Sequence, residues 1–219
     1  MVLVGMAQDA RSAADLVRRG ADVVLIGRAD AAAATGGATE AAGAPVGAWI
    51  SGGADNEAKS YRDAGFDFVV FDPDAASATA LLDEEIGYVM SLPPDMSDNE
   101  LRTIEAFQLD AVSIGAVQGP LTVRRQIDLR RVFSLARRPL MAVIDAATTV
   151  PELQALRDAN IIVVACEGAE NVERLRKTID ALPPRARRKD GDDRPTPLVP
   201  RAHVAEEADD DNEHEHEHE

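Results

Sequence analysis

The sequence has few of the residues on which most catalytic and disulfide-bonded sites depend. It contains one cysteine, Cys166, so no disulfide can form within the chain, and a reducing, cytoplasmic location is the simplest expectation. All four histidines lie beyond residue 200, which excludes a histidine base or histidine metal ligand from the rest of the chain. The lysines are Lys59, Lys177 and Lys189, and the pattern places the first two on helices, so no strand carries a Schiff-base lysine.

Long apolar runs are also missing. No run approaches the roughly 20 residues needed to cross a bilayer, and the N-terminus has neither the basic nor the apolar segment of a signal peptide. Aromatic residues make up only 4% of the chain, so the core must consist mostly of Ala, Val, Leu and Ile. The net charge of −16 argues against nucleic acid or an anionic membrane as a partner, because both are polyanions.

Much of the negative charge lies at the C-terminus. Residues 190–219 contain 12 acidic residues and two arginines, with prolines and almost no apolar periodicity. We therefore expect residues 185–219 to form a disordered acidic tail. Its last residues, 213–219, alternate His with Glu in a pattern typical of a purification tag, and we assign them no biological role.

What the sequence does contain is a repeated unit of a short apolar run followed by a helical pattern. Eight such runs are spaced by 20 to 30 residues, which is about the length of one strand, one helix and two loops. They are VLVGMA (2–7), DVVLIG (22–27), VGAWIS (46–51), DFVVFD (67–72), GYVMSL (87–92), DAVSIG (110–115), LMAVID (140–145) and IIVVAC (161–166).

The segments between the runs predict helices. Capping boxes begin two of them, at Ser97-x-x-Glu100 and Thr149-x-x-Glu152, and Gly20, Gly43 and Gly65 stand where helices should end. Eight strands that alternate with helices favour an α/β fold, a compact (β/α)8 barrel over residues 1–184. The alternative is an open, doubly wound sheet. No helical segment precedes the first run, so the start of the barrel is expected to be truncated or the barrel imperfect.

The unit RxxGADVVLIG, with its repetition along residues 2–182, resembles the phosphate-binding (β/α)8 (TIM) barrel superfamily. The resemblance implies that a ligand binds at the carboxyl ends of the strands. In those families, glycine-rich loops after strands seven and eight hold a phosphate. In this sequence Gly168, Ala169 and Glu170, which open the last helix, are the positions that could meet an anion through main-chain amides.

Polar residues follow several of the predicted strands. Asp72, Asp145 and Glu167 would gather at one mouth of a barrel, where they could act as acid and base or hold a divalent cation such as Mg²⁺. Arg28 could clamp a phosphate or carboxylate, and Ser51 would line the same rim. Each aspartate has an alternative role, because aspartates after strands often cap helices or make turns.

Two functions remain open from the sequence, and whether the protein is an enzyme is not decided. The first is lyase, isomerase or hydrolase chemistry on a small anionic metabolite. The second is a barrel that has lost catalysis and serves as a binding or assembly module; Trp49 or Met90 filling the mouth would favour it. A flavin-dependent oxidoreductase is a weaker alternative. The arginine-rich segment 123–138 could dock an acidic partner or the tail, and homo-oligomerisation is left open.

Overall fold

The computed structural model describes residues 1–27, 43–50 and 57–185. Its compact unit runs from Met1 to Pro183. The helix predicted within residues 30–43, the predicted tail beyond Arg185, and the candidate residues Arg28 and Ser51 lie outside the described residues. No helix in the described ranges is long and apolar enough to span a membrane.

Eight parallel strands pair in chain order, and the last pairs with the first to close a barrel. The predicted (β/α)8 architecture is confirmed, and the open sheet is excluded. The strands are β1 Val2–Ala7, β2 Val23–Ile26, β3 Val46–Trp49, β4 Phe68–Phe71, β5 Gly87–Ser91, β6 Ala111–Val117, β7 Leu140–Ile144 and β8 Ile161–Glu167. Each lies on one of the eight apolar runs of the sequence.

Helices follow most strands and cover the outside of the barrel. Those described are α1 Ala10–Arg18, α2 Glu57–Asp63, α3 Asp98–Thr103, α4 Val123–Ala136, α5 Val150–Asp158 and α6 Ala169–Asp180. Between β4 and β5 the prediction of a helix is wrong, because the chain forms only a 3₁₀ turn, Ala78–Leu82. The connection begins with a turn, in which the Ala75 and Ala76 amides donate to the Asp72 carbonyl, and the Ala80 amide then donates to the Ser77 carbonyl, three residues back.

Local signals in the sequence set the helix boundaries. Both capping boxes form: Glu100 accepts from the Ser97 amide at 2.7 Å, and Glu152 accepts from the Thr149 amide at 2.8 Å. These hydrogen bonds to the charged form lower the pKa of both glutamates. Gly65 has a φ of +88°, as a residue that ends a helix in the left-handed region requires, so the prediction for this helix end is confirmed.

Side chains alternate along each strand between two hydrophobic cores. Those that face outward pack under the helices, and those that face inward fill the barrel. In β8, for example, Cys166 belongs to the outer core and Ala165 to the inner one. The buried residues of the inner core are Val4, Leu25, Val70, Val89, Ala111, Met141 and Ala165, and the partly buried Trp49 of β3 and Phe68 of β4 pack against them.

One interior layer has an aromatic ring between two glycines. Phe68 of β4 pairs in register with Gly47 of β3 on one side and with Gly87 of β5 on the other. A Cβ atom added to Gly47 would lie 2.2 Å from the ring of Phe68. The ring therefore occupies the space that a side chain on β3 would fill, and Gly47 is required by this close approach.

Aspartates at the amino ends of alternate strands tie neighbouring strands together. The carboxylate of Asp22 accepts from the Leu3 amide at 2.8 Å, while the Asp22 amide donates to the Leu3 carbonyl at 2.9 Å. Asp67 makes the same pair of hydrogen bonds with Val46. Asp110 repeats the arrangement with Tyr88. The same two hydrogen bonds therefore join β1 to β2, β3 to β4 and β5 to β6. They lie at the amino ends of the strands, on the face of the barrel opposite the mouth.

The arginine-rich segment is largely engaged with the chain itself. Arg131 pairs with Asp98, and Arg137 pairs with Glu105 at 3.2 Å. Arg138 donates to the main-chain carbonyls of Glu105 and Phe107. These contacts pin the C-terminal part of α4 to the connection between β5 and β6. Docking of an acidic partner on this segment stays a prediction.

Candidate functional site

A cavity of about 420 Å³ opens at the carboxyl ends of the strands, in the sector formed by β8, β1, β2 and β3. In (β/α)8 barrels this end of the barrel carries the active site. The cavity is therefore the candidate functional site. Its described lining comprises Met6, Ala7, Gln8, Asp9, Ser12, Asp15, Leu16, Leu25, Gly27, Trp49, Glu167, Gly168 and Ala169.

The floor and side of the cavity are apolar. Met6 pairs in register with Leu25 on β2 and with Glu167 on β8, so these three residues form one row across the sheet. Trp49, the only tryptophan of the chain, is half-buried at the end of β3. An apolar wall with a few polar groups at its rim is the usual composition of a small-molecule site.

Glu167 is the predicted catalytic residue that the structure places in the cavity. It lies two residues after the inward-facing Ala165, so strand alternation directs it toward the barrel axis. Its side chain is exposed, and no hydrogen bond or ion pair of its carboxylate with a described residue is present. A carboxylate that is free of internal partners remains available to a ligand.

The turn from β8 into α6 forms a second polar edge of the cavity. Gly168 has a φ of +86°, which favours glycine, and no side chain caps the N-terminus of the 12-residue helix. Asn171 donates from its side-chain amide to the carbonyl of Glu167 at 2.8 Å and so holds the turn in place. Gly168 and Ala169 line the cavity, whereas Glu170 does not.

Helix α1 supplies two further carboxylates to the lining. Asp9 caps this helix and accepts from the Ser12 amide and hydroxyl, each at 2.8 Å, which lowers the pKa of Asp9. Asp15 lies within the helix and pairs with Arg18 at 3.3 Å on the exposed surface. The helical spacing of the sequence predicts that Asp15 lies on a helix. Its place in the cavity lining depends on how that helix packs on the barrel, which the spacing does not show.

The other two predicted catalytic residues make turns. Asp72 accepts from the Asp74 amide at 3.0 Å, and Asp145 accepts from the Ala147 amide at 2.7 Å. Both are exposed and neither lines the cavity. Such contacts with amides two residues ahead are the alternative turn-forming role of aspartate.

The structure does not bring the three predicted metal ligands together. Asp145 and Glu167 follow paired positions of β7 and β8, but Asp72 follows β4, on the opposite side of the ring from β8. Within residues 1–27, 43–50 and 57–185, no group of three or more His, Cys, Asp or Glu side chains could hold a metal ion. Mg²⁺ binding by these carboxylates thus has no geometric support.

Cys166 lies beside Glu167 in the sequence but outside the cavity. It is 2% exposed in the outer core, and burial raises the pKa of its thiol to about 11. A buried thiol with a raised pKa is protonated at neutral pH and is a poor nucleophile. Met90 is likewise buried in the outer core and does not fill the mouth.

Comparison with solved structures finds extensive similarity of fold. A 3-hexulose-6-phosphate synthase superposes with a TM-score of 0.61 and 16% identity, and the match covers 81% of this chain and 99% of that one. A tryptophan synthase chain from M. tuberculosis gives a TM-score of 0.58 and 16% identity over 81% of this chain and 88% of that one. No protein-family model matches the sequence, and no curated protein matches it significantly.

The likeness is one of fold. At 16% identity it confirms the (β/α)8 barrel fold that the sequence-based resemblance implied. The described parts of the barrel place the cavity where such barrels bind their ligands. Similarity of fold does not carry a reaction with it, so the function must be argued from the site.

Proposed function

We propose that this protein binds a small, partly apolar metabolite in the cavity over β8, β1, β2 and β3, and that Glu167 acts on it as an acid or base. The observation that carries the proposal is the combination of an apolar cavity with one inward-facing carboxylate that has no described partner. Proton transfer of this kind belongs to lyase, isomerase or hydrolase chemistry.

The apolar body of the metabolite would lie against Met6, Leu25 and Trp49. These side chains already lose most of their contact with water, and a ligand would remove the remainder. Burial of apolar area contributes about 25 cal/mol per Å² to affinity, less the cost of immobilising the ligand. This wall therefore supports binding of a molecule with a hydrocarbon or ring portion.

A carboxylate or phosphate group of the metabolite would meet the main-chain amides that open α6, at Gly168, Ala169 and Glu170. The uncapped N-terminus of this helix supports the contact, because its first amides lack partners within the helix. Arg28 and Ser51 stay predicted members of the same site. One of the proteins with a similar fold is a 3-hexulose-6-phosphate synthase, and its name is compatible with a phosphorylated ligand.

A second candidate is a binding module without catalysis. Two of the three predicted catalytic carboxylates, Asp72 and Asp145, are committed to turns outside the cavity, which favours this alternative. Glu167 would then serve only as a hydrogen-bond acceptor for the ligand. The two candidates agree on where the ligand binds and differ in whether a proton moves.

Trp49 provides a direct test of binding, because it is the only tryptophan and it lines the cavity. A library of phosphorylated, carboxylated and amino metabolites is screened by thermal shift, and positive compounds are titrated while tryptophan fluorescence is recorded. A ligand of this cavity raises the melting temperature with its concentration and changes the fluorescence with the same dissociation constant. Ligands that stabilise the protein but leave Trp49 unaffected would contradict the proposed site.

Glu167→Gln separates catalysis from binding. The ligand is incubated with protein in deuterated water, and exchange of its C–H protons is followed by NMR. If Glu167 is an acid or base, the wild type catalyses exchange and the variant binds the ligand without exchanging it. Glu84→Gln is the matched control, because it removes an exposed carboxylate at the opposite end of the barrel. Absence of exchange in the wild type with every bound ligand would favour the binding module.

A further inference from the structure

The described lining of the cavity is rich in carboxylates, and one of them, Asp15, is paired with the cation of Arg18. Asp9, Asp15 and Glu167 contribute to the lining. Among residues 1–27, 43–50 and 57–185, no lysine, arginine or histidine belongs to it. A ligand that carries only negative charge would therefore meet, in this described part of the lining, formal charge of the same sign as its own.

The N-termini of α1 and α6 lie at the cavity, but carboxylates of the chain itself already offset their partial positive charge. A helix N-terminus corresponds to about half a positive charge. Asp9 caps α1 directly, and Glu170 lies in the first turn of α6. Together the termini supply about one positive charge and Arg18 supplies another, against the three carboxylates of the lining.

Of the three carboxylates, Glu167 is the one that most needs a partner from a ligand. Asp9 accepts a hydrogen bond from Ser12, and Asp15 forms an ion pair with Arg18. Glu167 stands in register beside Met6, so a ligand in contact with it would also contact the apolar row of the sheet. A carboxylate that a ligand removes from water loses less free energy when the ligand supplies an opposite charge.

We infer that the metabolite carries a protonated amine, which pairs with Glu167 and lies near the ring of Trp49. The inference rests on the proposed function and names the chemical class of its ligand. Aromatic rings attract ammonium groups through their electron-rich faces, and tryptophan does so most strongly. A compact acidic group at the start of α6 is compatible with it, and the ligand is then a zwitterion rather than a polyanion.

Three probes of nearly equal size and shape isolate the charge. They are 2-phenylethylamine, 2-phenylethanol and phenylacetate, which carry an ammonium, a hydroxyl and a carboxylate on the same aromatic body. Each is titrated into the full-length protein while Trp49 fluorescence is recorded, at low and at high salt. We expect the amine to bind about tenfold more tightly than the alcohol, which corresponds to about 1.4 kcal/mol. We expect phenylacetate to bind more weakly than both, and the preference for the amine to shrink as salt screens the charges.

The Glu167→Gln variant tests whether this residue selects the amine. It should lose most of the preference for the amine over the alcohol and retain the affinity for the alcohol, because the apolar wall is unchanged. Glu84→Gln removes the same charge far from the cavity and should retain the preference. Asp15→Asn, which removes a paired carboxylate of the lining, should reduce the preference by less than Glu167→Gln does.

The outcomes distinguish this inference from the proposed function. If phenylacetate binds as tightly as the amine or more tightly, or if Glu167→Gln keeps the full preference, the amine inference is wrong while the cavity remains a binding site. If none of the probes changes Trp49 fluorescence, and no metabolite of the screen does so, the proposed function fails and the inference fails with it.

Discussion

Replacement of Gly47 by alanine should destabilise the barrel, because the ring of Phe68 occupies the space of the new methyl group. The added Cβ would lie 2.2, 2.3 and 2.6 Å from three atoms of that ring. Carbon atoms in good contact are roughly 3.5 Å apart, so the ring must retreat by roughly 1.3 Å.

Such overpacking costs about 1–3 kcal/mol in the free energy of unfolding. For a chain of this size, a loss of about 2 kcal/mol lowers the melting temperature by about 4–8 °C. Part of the loss should be recovered when Phe68 is shortened. We expect Gly47→Ala combined with Phe68→Leu to be more stable than the sum of the single changes predicts, by at least about 0.5 kcal/mol.

The assay is urea unfolding followed by circular dichroism, with the single and double variants compared in a double-mutant cycle. Gly27→Ala is the matched control, because among the described residues its added methyl would have only the Ala7 carbonyl oxygen nearby, at 3.6 Å. It should be neutral or stabilise the protein by up to about 1 kcal/mol, since alanine restricts the unfolded chain. If Gly47→Ala proves as stable as the wild type, Phe68 does not pack over β3 as described.

Three further predictions follow from other parts of the barrel. Asp67→Ala should lower the free energy of unfolding by about 1.5–3 kcal/mol in urea titrations, because the Val46 amide loses a charged acceptor, and Asp67→Asn should cost less. Cys166 should react with thiol reagents only when the protein unfolds. Since its folded pKa of about 11 lies above the ordinary value of 9.0, stability should fall as the pH rises between these values, and Cys166→Ala should weaken that dependence; burial also raises the pKa of Tyr88, which still contributes to it. Glu152 has a lowered pKa, so its contribution is present above its ordinary value of 4.5 and is lost as the pH falls; Glu152→Gln should weaken the acid dependence of the melting temperature, and an unchanged dependence would contradict the capping box.

The strand order could be predicted from the sequence because each strand carries a signal that does not depend on its neighbours. Runs of β-branched and aliphatic residues such as IIVVAC predict buried parallel strands, and eight of them in regular alternation with helices favour closure. The connection after β4 was predicted wrongly, because its alanines favour a helix whereas the chain makes a turn at Asp72 and then a 3₁₀ turn, Ala78–Leu82. Spacing alone does not show how many residues a turn consumes.

The clamps at the amino ends could have been found from the sequence but were not. Asp22, Asp67 and Asp110 each stand immediately before an even-numbered strand, in the strings GAD, GFD and QLD. An aspartate before every second strand was the pattern that could have predicted a shared structural role. Their hydrogen bonds to Leu3, Val46 and Tyr88 depend on which strands are neighbours, and closure of the barrel settles that.

The candidate site was less predictable than the fold. Strand alternation directs Asp72, Asp145 and Glu167 alike toward the barrel axis, which is why the sequence groups them. Their final positions differ because Asp72 and Asp145 accept hydrogen bonds from the amides two residues ahead and so form turns. Glu167 instead precedes Gly168, which leads directly into α6. The roles of Asp15 and Trp49 in the lining depend on the position of a helix and a strand around the ring, which no local pattern specifies.

The most direct test of a ligand site over β8, β1, β2 and β3 is mapping of amide chemical shifts. The uniformly ¹⁵N-labelled protein is titrated with 2-phenylethylamine or with a metabolite identified in the screen. The largest shifts should fall on Gln8, Gly27, Gly168 and Ala169, which line the cavity on three different strands or their loops. Shifts centred on the amino ends of the strands, at Asp83 to Gly87 and at Leu109 and Asp110, would place the ligand at the opposite face and contradict the account.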